Sequence, residues 1–303
     1  MGTVPRLLTG RRRRIVGHPL SDTSEREDSC YATRSIWKGA PSSATDGPIG
    51  EVKDLYFDDE AWVIRYLVVS TGSWLSNRKV LISPYAISRP QSDQGLLSAG
   101  ITKEQVKNSP DIDTDKPISR QYETQYLKYY RYPSYWGSTG LWGVGVNPNM
   151  LPMNSGVDWS ADQYRQAETG REETGRREHY DSHLRSCNAV MKYHIRATDG
   201  DIGHVHSLLV DDETWAIRYL IVATSNWWLG HHVLIAPQWI DDVSWFDCKV
   251  SVDLTRQAVK DAPPYDAAVS LNREQEMGIH QHYGRAGNWT GEVKAELQDD
   301  LSM

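Results

Sequence analysis

Short apolar runs, each bounded by turn residues, dominate the hydrophobic pattern in the first half of the chain. The first two runs, 49–57 and 62–70, are separated by the acidic segment 58–60, and the third run, 79–83, ends at Pro84. Asp tolerates turn geometry and Pro cannot donate to a sheet ladder, so the pattern predicts a β-hairpin followed by a third strand. Both alternating faces of the second run carry apolar side chains, which is typical of a strand with neighbours on each side.

The same pattern occurs twice. Residues 46–87 align with residues 199–240 without a gap, so that residue n of the first copy corresponds to residue n + 153 of the second. The 42 aligned positions contain 22 identities, against roughly 6% expected for unrelated sequences of average composition. Weaker correspondences extend the repeated units to 46–136 and 199–289. The chain is therefore a tandem duplication.

Each copy continues with a further apolar stretch and two short helical segments. The stretches 96–101 and 249–254 alternate well enough to add one strand to each sheet. Thr102 begins a helix with the Thr-x-x-Gln spacing of a capping box, whereas Thr255 begins the matching helix with Ala three residues later. Each copy then has a second helical segment, 120–130 in the first copy and 273–283 in the second. We expect these segments to lie across the surface of the barrel that the strands form.

These elements predict a mainly β protein with two tandem small β-barrels, each followed by short helices. Closing short, twisted strands into a barrel removes exposed strand edges. The domain boundaries that follow from the repeat and from composition are a flexible basic tail 1–30, repeat 1 at 31–137, a polar linker 138–183, repeat 2 at 184–290 and a flexible tail 291–303. Polar composition predicts mobility in the tails and in the linker.

Charge and cysteine content narrow the function classes. The net charge of -7 and the pI near 5.8 argue against broad binding to nucleic acid or anionic lipid, which both need a basic face. The three cysteines, Cys30, Cys187 and Cys248, are odd in number and lack metal-like spacing, so a reducing compartment is expected and we predict a cytoplasmic protein. No window has the length of a transmembrane helix.

Histidines of the second copy are the candidate metal ligands. The pair His204-x-His206 places two imidazoles on one strand face, and His231-His232 lies at a neighbouring hairpin. The first copy has no histidine at the matching positions, so such a site does not belong to the repeated module. The alternative interpretation is a group of solvent-facing histidines.

Other polar clusters favour structural interpretations. The acidic segments 58–60 and 211–213 offer grouped oxygens for a hard cation, but adjacent residues at a hairpin tip point apart, which favours turns. His280 and His282 lie in a polar helical stretch and are predicted to be solvated. No nucleophile elbow, phosphate-binding glycine loop or dinucleotide fingerprint occurs, so the sequence predicts no catalytic residue and no cofactor.

Tryptophans between strands are the candidate partner contacts. Trp74, Trp227 and Trp228 lie in loops, where a large ring is less easily buried than at a strand centre. They form a contact surface for a protein partner, or they pack against the helices or the other barrel. We also expect the two barrels to pack as an internal pseudo-dimer.

Four motifs present in both copies carry a resemblance to a known family. Asp-Gly-x-Ile-Gly-x-Val, an acidic hairpin followed by Trp, the Ile-Arg-Tyr-Leu strand and Val-Leu-Ile-x-Pro resemble the PRC-barrel family. That family is named for the cytoplasmic domain of the photosynthetic reaction centre H subunit and includes the C-terminal domain of a ribosome maturation factor. The tandem arrangement with Trp-terminated tails is similar to soluble bacterial members of unassigned function.

The resemblance implies a small, strongly bent β-barrel that docks onto a partner, without an active site to carry over. The predicted function is a noncatalytic protein-interaction or assembly module without a cofactor. The alternatives are a reaction-centre-like electron-transport accessory, an RNA-processing or ribosome-assembly factor, which the net charge disfavours, and a metal-dependent enzyme that uses the histidines of copy two.

The sequence departs from the family pattern in two places. The transmembrane anchor of the H subunit is absent. Residues 39–43 of the first copy read Gly-Ala-Pro-Ser-Ser where residues 192–196 of the second read Lys-Tyr-His-Ile-Arg, so a first strand is not supported in copy one as it is in copy two.

Overall fold

The structure of the protein is a computed structural model. It describes residues 31–33, 37–88, 95–112, 118–136, 140–143, 145–150, 183–224, 231–269 and 271–287. The predicted tails 1–30 and 291–303 and most of the predicted linker lie outside these ranges. The described chain is mainly β, with two sheets and a few short helices, as the sequence predicts. Within it, no helix is long and apolar enough to cross a membrane.

The elements of the first half follow the predicted order. Its strands are β1 Tyr31–Thr33, β2 Pro41–Ala44, β3 Gly47–Asp58, β4 Val63–Ser70, β5 Lys79–Ile82 and β6 Leu97–Ser98. Its helices are α1 Lys103–Lys107 and α2 Arg120–Tyr130, with 3-10 turns at Gly72–Leu75 and Pro84–Ala86 and a further one at Pro148–Met150. The predicted capping box at Thr102 is confirmed, since Thr102 and Gln105 each accept from the other's backbone N–H.

The second half repeats these elements. Its strands are β7 Leu184–Ser186, β8 His194–Ala197, β9 Gly200–Asp211, β10 Ile217–Thr224, β11 His232–Ile235, β12 Ile240–Ser244 and β13 Lys249–Val252. Its helices are α3 Cys187–Val190, α4 Arg256–Lys260 and α5 Arg273–His282, with a 3-10 turn at Pro237–Trp239. The acidic segments form hairpin turns: the Asp58 carboxylate accepts from the N–H groups of Glu60 and Ala61, and Asp211 does the same in the second half.

The first strand of copy one forms despite its small polar residues. Strand β2 pairs antiparallel with β3 and parallel with β6. Pro41 occupies the first position of the strand, where a missing N–H is tolerated. The Ser42 hydroxyl donates to the Gly50 carbonyl at 3.1 Å, so a side chain adds to the pairing. Backbone hydrogen bonds to strands on both sides therefore stabilise β2, although its sequence lacks the alternation of apolar and polar residues that is typical of a strand.

Each sheet is curled. The strand orders are β5-β4-β3-β2-β6 and β11-β10-β9-β8-β13-β12. After β11 the chain turns through Pro237–Trp239 and returns as β12, which pairs with β13 at the opposite end of the sheet order. A single bridge between Ile87 and Ala99 makes the corresponding contact in the first half. All residues of β4 except the last are buried, so both of its faces are covered.

Gly50 and Gly203 allow a close approach between neighbouring strands of each half, β3 with β4 and β9 with β10. A Cβ atom at Gly50 would lie 1.9 Å from the Ser70 carbonyl oxygen, and one at Gly203 would lie 2.0 Å from that of Ala223. Those contacts involve backbone that cannot move aside without breaking the ladder. The glycine common to both copies is therefore a packing requirement.

The two halves exchange their first strands. Strand β1, which precedes the first sheet, pairs antiparallel with β9 of the second half. Strand β7, at the equivalent position before the second sheet, pairs antiparallel with β3 of the first half. Each sheet therefore contains one short strand from the other copy.

The hairpins of the two halves also meet directly. Val63 and Ala216, which are equivalent residues, form an antiparallel bridge. The Ile64 N–H donates to the Trp215 carbonyl at 2.8 Å, and the equivalent Ile217 N–H donates to the Trp62 carbonyl at 2.7 Å. The buried ring of Trp37 stacks on Trp215 with centroids 4.8 Å apart. The contacts between the halves are thus reciprocal.

Candidate functional site

The reciprocal contacts create two equivalent slots, each formed by a strand of one half and the hairpin turn of the other. Slot 1 is defined by Arg65, Tyr85 and the Thr214 carbonyl. Slot 2 is defined by their counterparts at n + 153 or n − 153, namely Arg218, Gln238 and the Ala61 carbonyl. The two slots differ in what they contain.

Slot 1 holds the side chain of Trp142. This ring is buried, and its Nε1 donates to the Thr214 carbonyl at 2.7 Å. Tyr85 meets the ring edge to face, with centroids 4.9 Å apart. Two bridges, Gly140 to Gly143 and Trp142 to Gly145, fold the segment into a tight turn. This segment belongs to the predicted polar linker, yet it packs against the core.

Arg65 contacts both the hairpin turn at Asp58 and the segment that carries Trp142. Its side chain is 2% exposed and its guanidinium lies 3.3 Å from the Asp58 carboxylate. One terminal nitrogen donates to the Leu141 carbonyl at 2.5 Å. The guanidinium lies over the Tyr135 ring at 3.8 Å and over Trp142 at 4.9 Å, within the range of cation–π contacts. One buried cation therefore holds the turn and the Trp142 segment together.

A buried carboxylate lies behind slot 1. Glu123 accepts hydrogen bonds from the hydroxyls of Tyr66, at 3.2 Å, and Tyr135, and it pairs with Arg120 at 3.2 Å. Burial raises the pKa of Glu123, and the nearby Arg120 partly opposes this effect. Burial, with the Glu123 charge second, raises the pKa of Tyr66 well above its ordinary value. The hydroxyl therefore stays a donor throughout the physiological range.

Slot 2 is an open cavity of about 350 Å³ between the two halves. Ala61 and Trp62 line it from the first half, and Arg218 and Gln238 line it from the second. The Arg218 side chain is 26% exposed, whereas its counterpart in slot 1 is buried. The cavity volume falls in the range of small-molecule and side-chain pockets.

Three buried polar groups form the floor of slot 2. The Tyr219 hydroxyl donates to Glu276 at 2.6 Å and lies 2.9 Å from Nε2 of His280. Arg218 lies 3.6 Å from the Glu276 carboxylate. Nδ1 of His280 lies 3.1 Å from the Ala286 carbonyl, and burial lowers the pKa of His280.

The predicted solvent exposure of the α5 histidines is wrong for His280. Its side chain is buried against Tyr219 and against the ring of Trp239, which lies 5.1 Å away. The helix turns His280 inward because it follows Glu276 by one helical turn on the same face. His282 is exposed as predicted, and its Nε2 lies 2.8 Å from the Ala258 carbonyl.

The candidate metal ligands lie on the surface of the second sheet. His204, His206 and His231 are exposed, and the ring of His206 stacks on His232 with centroids 4.4 Å apart. Partial burial, followed by the charges of His206 and His204, lowers the pKa of His232. Among the described residues, no group of three or more His, Cys, Asp or Glu side chains is arranged to hold a metal ion.

Of the three candidate partner contacts, Trp74 packs against its own sheet. Its ring is half-buried, and its Nε1 donates to the Ile49 carbonyl at 2.6 Å. The Lys103 ammonium lies 4.4 Å from the ring centroid. The contact with Lys103 is one to helix α1, whereas the hydrogen bond is to the sheet of the same half, and a partner contact at Trp74 stays a prediction. Trp227 and Trp228 lie outside the described residues.

Sequence reasoning missed the residues of the slots. The available signal was the Arg-Tyr pair at 65–66 and 218–219, whose place in an apolar strand favours a role in the strand core. Glu123 and Glu276 also match at the same offset, inside a helix that otherwise aligns weakly. The tyrosine and the glutamate are buried in both copies, which indicates an arrangement that the two copies share.

An aromatic ring outside the slots is strongly exposed. Phe246, in the turn between β12 and β13, is 96% exposed. The adjacent Trp245 instead packs inward, with its centroid 6.5 Å from the ring of Phe57 in the other half. Single exposed apolar residues are common on soluble proteins, so Phe246 alone defines no surface.

Comparison with known proteins agrees with the resemblance found in the sequence. Residues 43–97 match the family model described as PRC-barrel domain. An uncharacterized protein of Deinococcus radiodurans is 33% identical over 84 residues, which are 27% of this chain and 30% of that protein. The chain thus matches less than a third of the length of this relative.

Proposed function

We propose that this chain, in which residues 43–97 match the PRC-barrel domain model, is a noncatalytic protein-interaction module that binds a segment of a partner protein in slot 2. One observation carries the proposal: slot 1, the counterpart of slot 2, already holds a polypeptide segment. Trp142 and the Leu141 carbonyl occupy it through a hydrogen bond to Thr214 and a hydrogen bond from Arg65.

The shared polar residues favour binding over catalysis. In slot 1, Arg65 donates to the Leu141 carbonyl, and behind the slot the Tyr66 hydroxyl donates to Glu123, so these groups are engaged within the chain itself. In slot 2 their counterparts are engaged with one another, since the Tyr219 hydroxyl donates to Glu276. A general base must reach the proton that it removes, and groups tied to each other on the floor are poorly placed for that task.

Site-specific cross-linking tests the proposal. A photoreactive amino acid replaces Gln238, which is exposed at the rim of slot 2, in the full chain expressed in its native cell. We expect a discrete cross-linked polypeptide, identified by mass spectrometry. The matched control replaces Lys128, which is exposed and does not line the cavity, and should not give that product.

Two results would count against an interaction module. One is the same pattern of products from positions 238 and 128, which would mean nonspecific capture. The other is turnover of a substrate by the purified chain that is lost in the Glu276→Gln variant. The roles in electron transport and in RNA processing stay predictions from the resemblance, and elemental analysis of the purified chain tests the metal-dependent alternative.

A further inference from the structure

We propose that slot 2 recognises a tryptophan residue of the partner, taking its indole ring together with the main-chain carbonyl that precedes it. The inference rests on the proposed function and names the chemistry of the ligand. Slot 1 supplies the geometry, because the two slots are built from equivalent residues of one duplicated sequence. Three features that bind Trp142 in slot 1 can be compared with their counterparts in slot 2: the carbonyl acceptor, the arginine and the aromatic ring.

The first element is the acceptor for the indole N–H. In slot 1 the Thr214 carbonyl accepts from Trp142 Nε1. Its counterpart, the Ala61 carbonyl, lies in a turn with the same bonds: an Asp side chain caps the turn, and the N–H of the following Trp donates to the Asp carbonyl at 2.8 Å in both halves. Trp62 and Trp215 also share a positive φ, 54° and 60°. The two turns therefore have the same backbone geometry, and the Ala61 carbonyl is oriented in its turn as the Thr214 carbonyl is in the other.

The second element is the arginine. Arg65 lies over the Trp142 ring and donates to the Leu141 carbonyl, which is the carbonyl immediately before the tryptophan. Arg218 takes the equivalent position, and its greater exposure follows from the absence of a covering ring among the described residues. Because a guanidinium carries five N–H donors, Arg218 can keep its contact with Glu276 and still donate to a ligand.

The third element is the missing aromatic in the second copy. Continuing the same offset, the residues equivalent to Leu141 and Trp142 are Lys294 and Ala295. At this offset the second copy has no tryptophan at the position of Trp142, and its Trp289 corresponds to Trp136 of the first copy. A tryptophan from another polypeptide provides the group that the first copy supplies to itself.

The probe that matches these elements is N-acetyl-L-tryptophanamide. Its acetyl carbonyl stands in for the carbonyl of Leu141, and its indole stands in for Trp142. N-acetyl-L-phenylalaninamide keeps the carbonyl and lacks the ring N–H. Free indole keeps the ring N–H and lacks the carbonyl. Saturation-transfer NMR at millimolar probe measures binding of each compound to the full-length chain.

We expect N-acetyl-L-tryptophanamide to bind more tightly than either of the other two compounds. Gln238→Tyr restores the edge-to-face ring that Tyr85 provides in slot 1 and should tighten binding roughly 2- to 10-fold, the range of aromatic pair energies. Arg218→Lys keeps the charge beside Glu276 but loses the planar donor, and should weaken binding roughly 10-fold. His204→Gln, outside the slot, should leave binding unchanged.

Three results would overturn the inference. One is absence of binding to the full chain, and another is equal binding of the phenylalanine or indole probe. The third is binding that appears only in Trp289→Ala, because slot 2 would then take a tryptophan of this same chain. If position 238 cross-links a partner while the tryptophan probe fails, the interaction module stands and the indole chemistry is wrong. If both fail, the proposed function fails too.

Discussion

Arg65 and Arg218 are equivalent residues that differ in how far neighbouring side chains bury them. Tyr135 and Trp142 enclose Arg65, and Asp58 balances its charge at 3.3 Å. Arg218 remains partly exposed beside slot 2. A buried ion pair contributes little relative to a well-packed apolar pair, but removing one partner leaves the other charge buried without compensation. The same substitution should therefore have unequal effects at the two positions.

The first prediction compares Arg65→Leu with Arg218→Leu. We expect Arg65→Leu to lower the free energy of unfolding by about 3–5 kcal/mol, because the buried Asp58 loses its cation. The matched Arg218→Leu should cost less, about 1–2 kcal/mol, because the contact with Glu276 is longer, at 3.6 Å, and the Tyr219 hydroxyl still donates to that carboxylate. Urea unfolding followed by tryptophan fluorescence measures both values. Equal losses would contradict the difference in burial.

The second prediction concerns pH. Burial lowers the folded-state pKa of His280 below its ordinary 6.5, so the unfolded chain binds this proton more readily than the folded protein. The stability that His280 contributes is complete above about pH 6.5 and is lost as the pH falls toward the folded-state pKa. We expect the urea midpoint to decrease from pH 7 to pH 5.

The variant His280→Leu, which copies Leu127 of the first half, isolates this effect and should show a smaller decrease over the same interval. Glu123 acts in the opposite direction, since its raised pKa gives stability that is present at low pH and lost as the pH rises through the folded-state value. An unchanged pH dependence in His280→Leu would mean that another group is responsible.

At the scale of elements, the strands and helices that could be predicted from the sequence are mainly those that the internal repeat shows twice. The long strands β3, β4, β9 and β10 have hydrophobic periodicity, and helices α1 and α4 begin at a capping threonine, so the second copy repeats what the first shows. The exchanged strands β1 and β7 have three residues each, too few for a period, and their partners lie far away in sequence. The Trp142 turn is glycine-rich, as linkers are, and only tertiary contact orders it.

The third prediction tests the element that precedes the first sheet. Trp37 is 2% exposed and stacks on Trp215 of the other half. We expect Trp37→Ala to lower the free energy of unfolding by about 3–5 kcal/mol, because it leaves a cavity between the halves. Trp136→Ala, at a half-buried ring, is the control and should cost less. Comparable losses in a urea titration would contradict a central role for Trp37.

At the scale of the molecule, strand exchange makes the two halves depend on each other. Strand β1 completes the second sheet, β7 completes the first, and the hairpins share backbone hydrogen bonds. Neither sheet keeps all its pairings when the other unfolds. The halves should therefore behave as one cooperative unit although the sequence contains two repeats.

The fourth prediction follows from this dependence. We expect a single unfolding transition for the full chain, with a calorimetric enthalpy equal to the van't Hoff enthalpy. Differential scanning calorimetry measures both quantities. The variant Ser186→Pro, which places a residue without an N–H in β7, should shift the whole transition and not split it. Two resolved transitions in the unmodified chain would show that the halves unfold independently.

The difference between the slots has a consequence for stoichiometry. In a dimer of identical subunits, every residue occurs on both sides of the interface, so a closed slot on one side means a closed slot on the other. Joining both copies in one chain removes that restriction, and here one slot is sealed by Trp142 while its counterpart is open. Binding of a partner segment in slot 2, as proposed, would therefore be monovalent. We expect such binding to give one-to-one complexes that do not extend through these slots into a polymer.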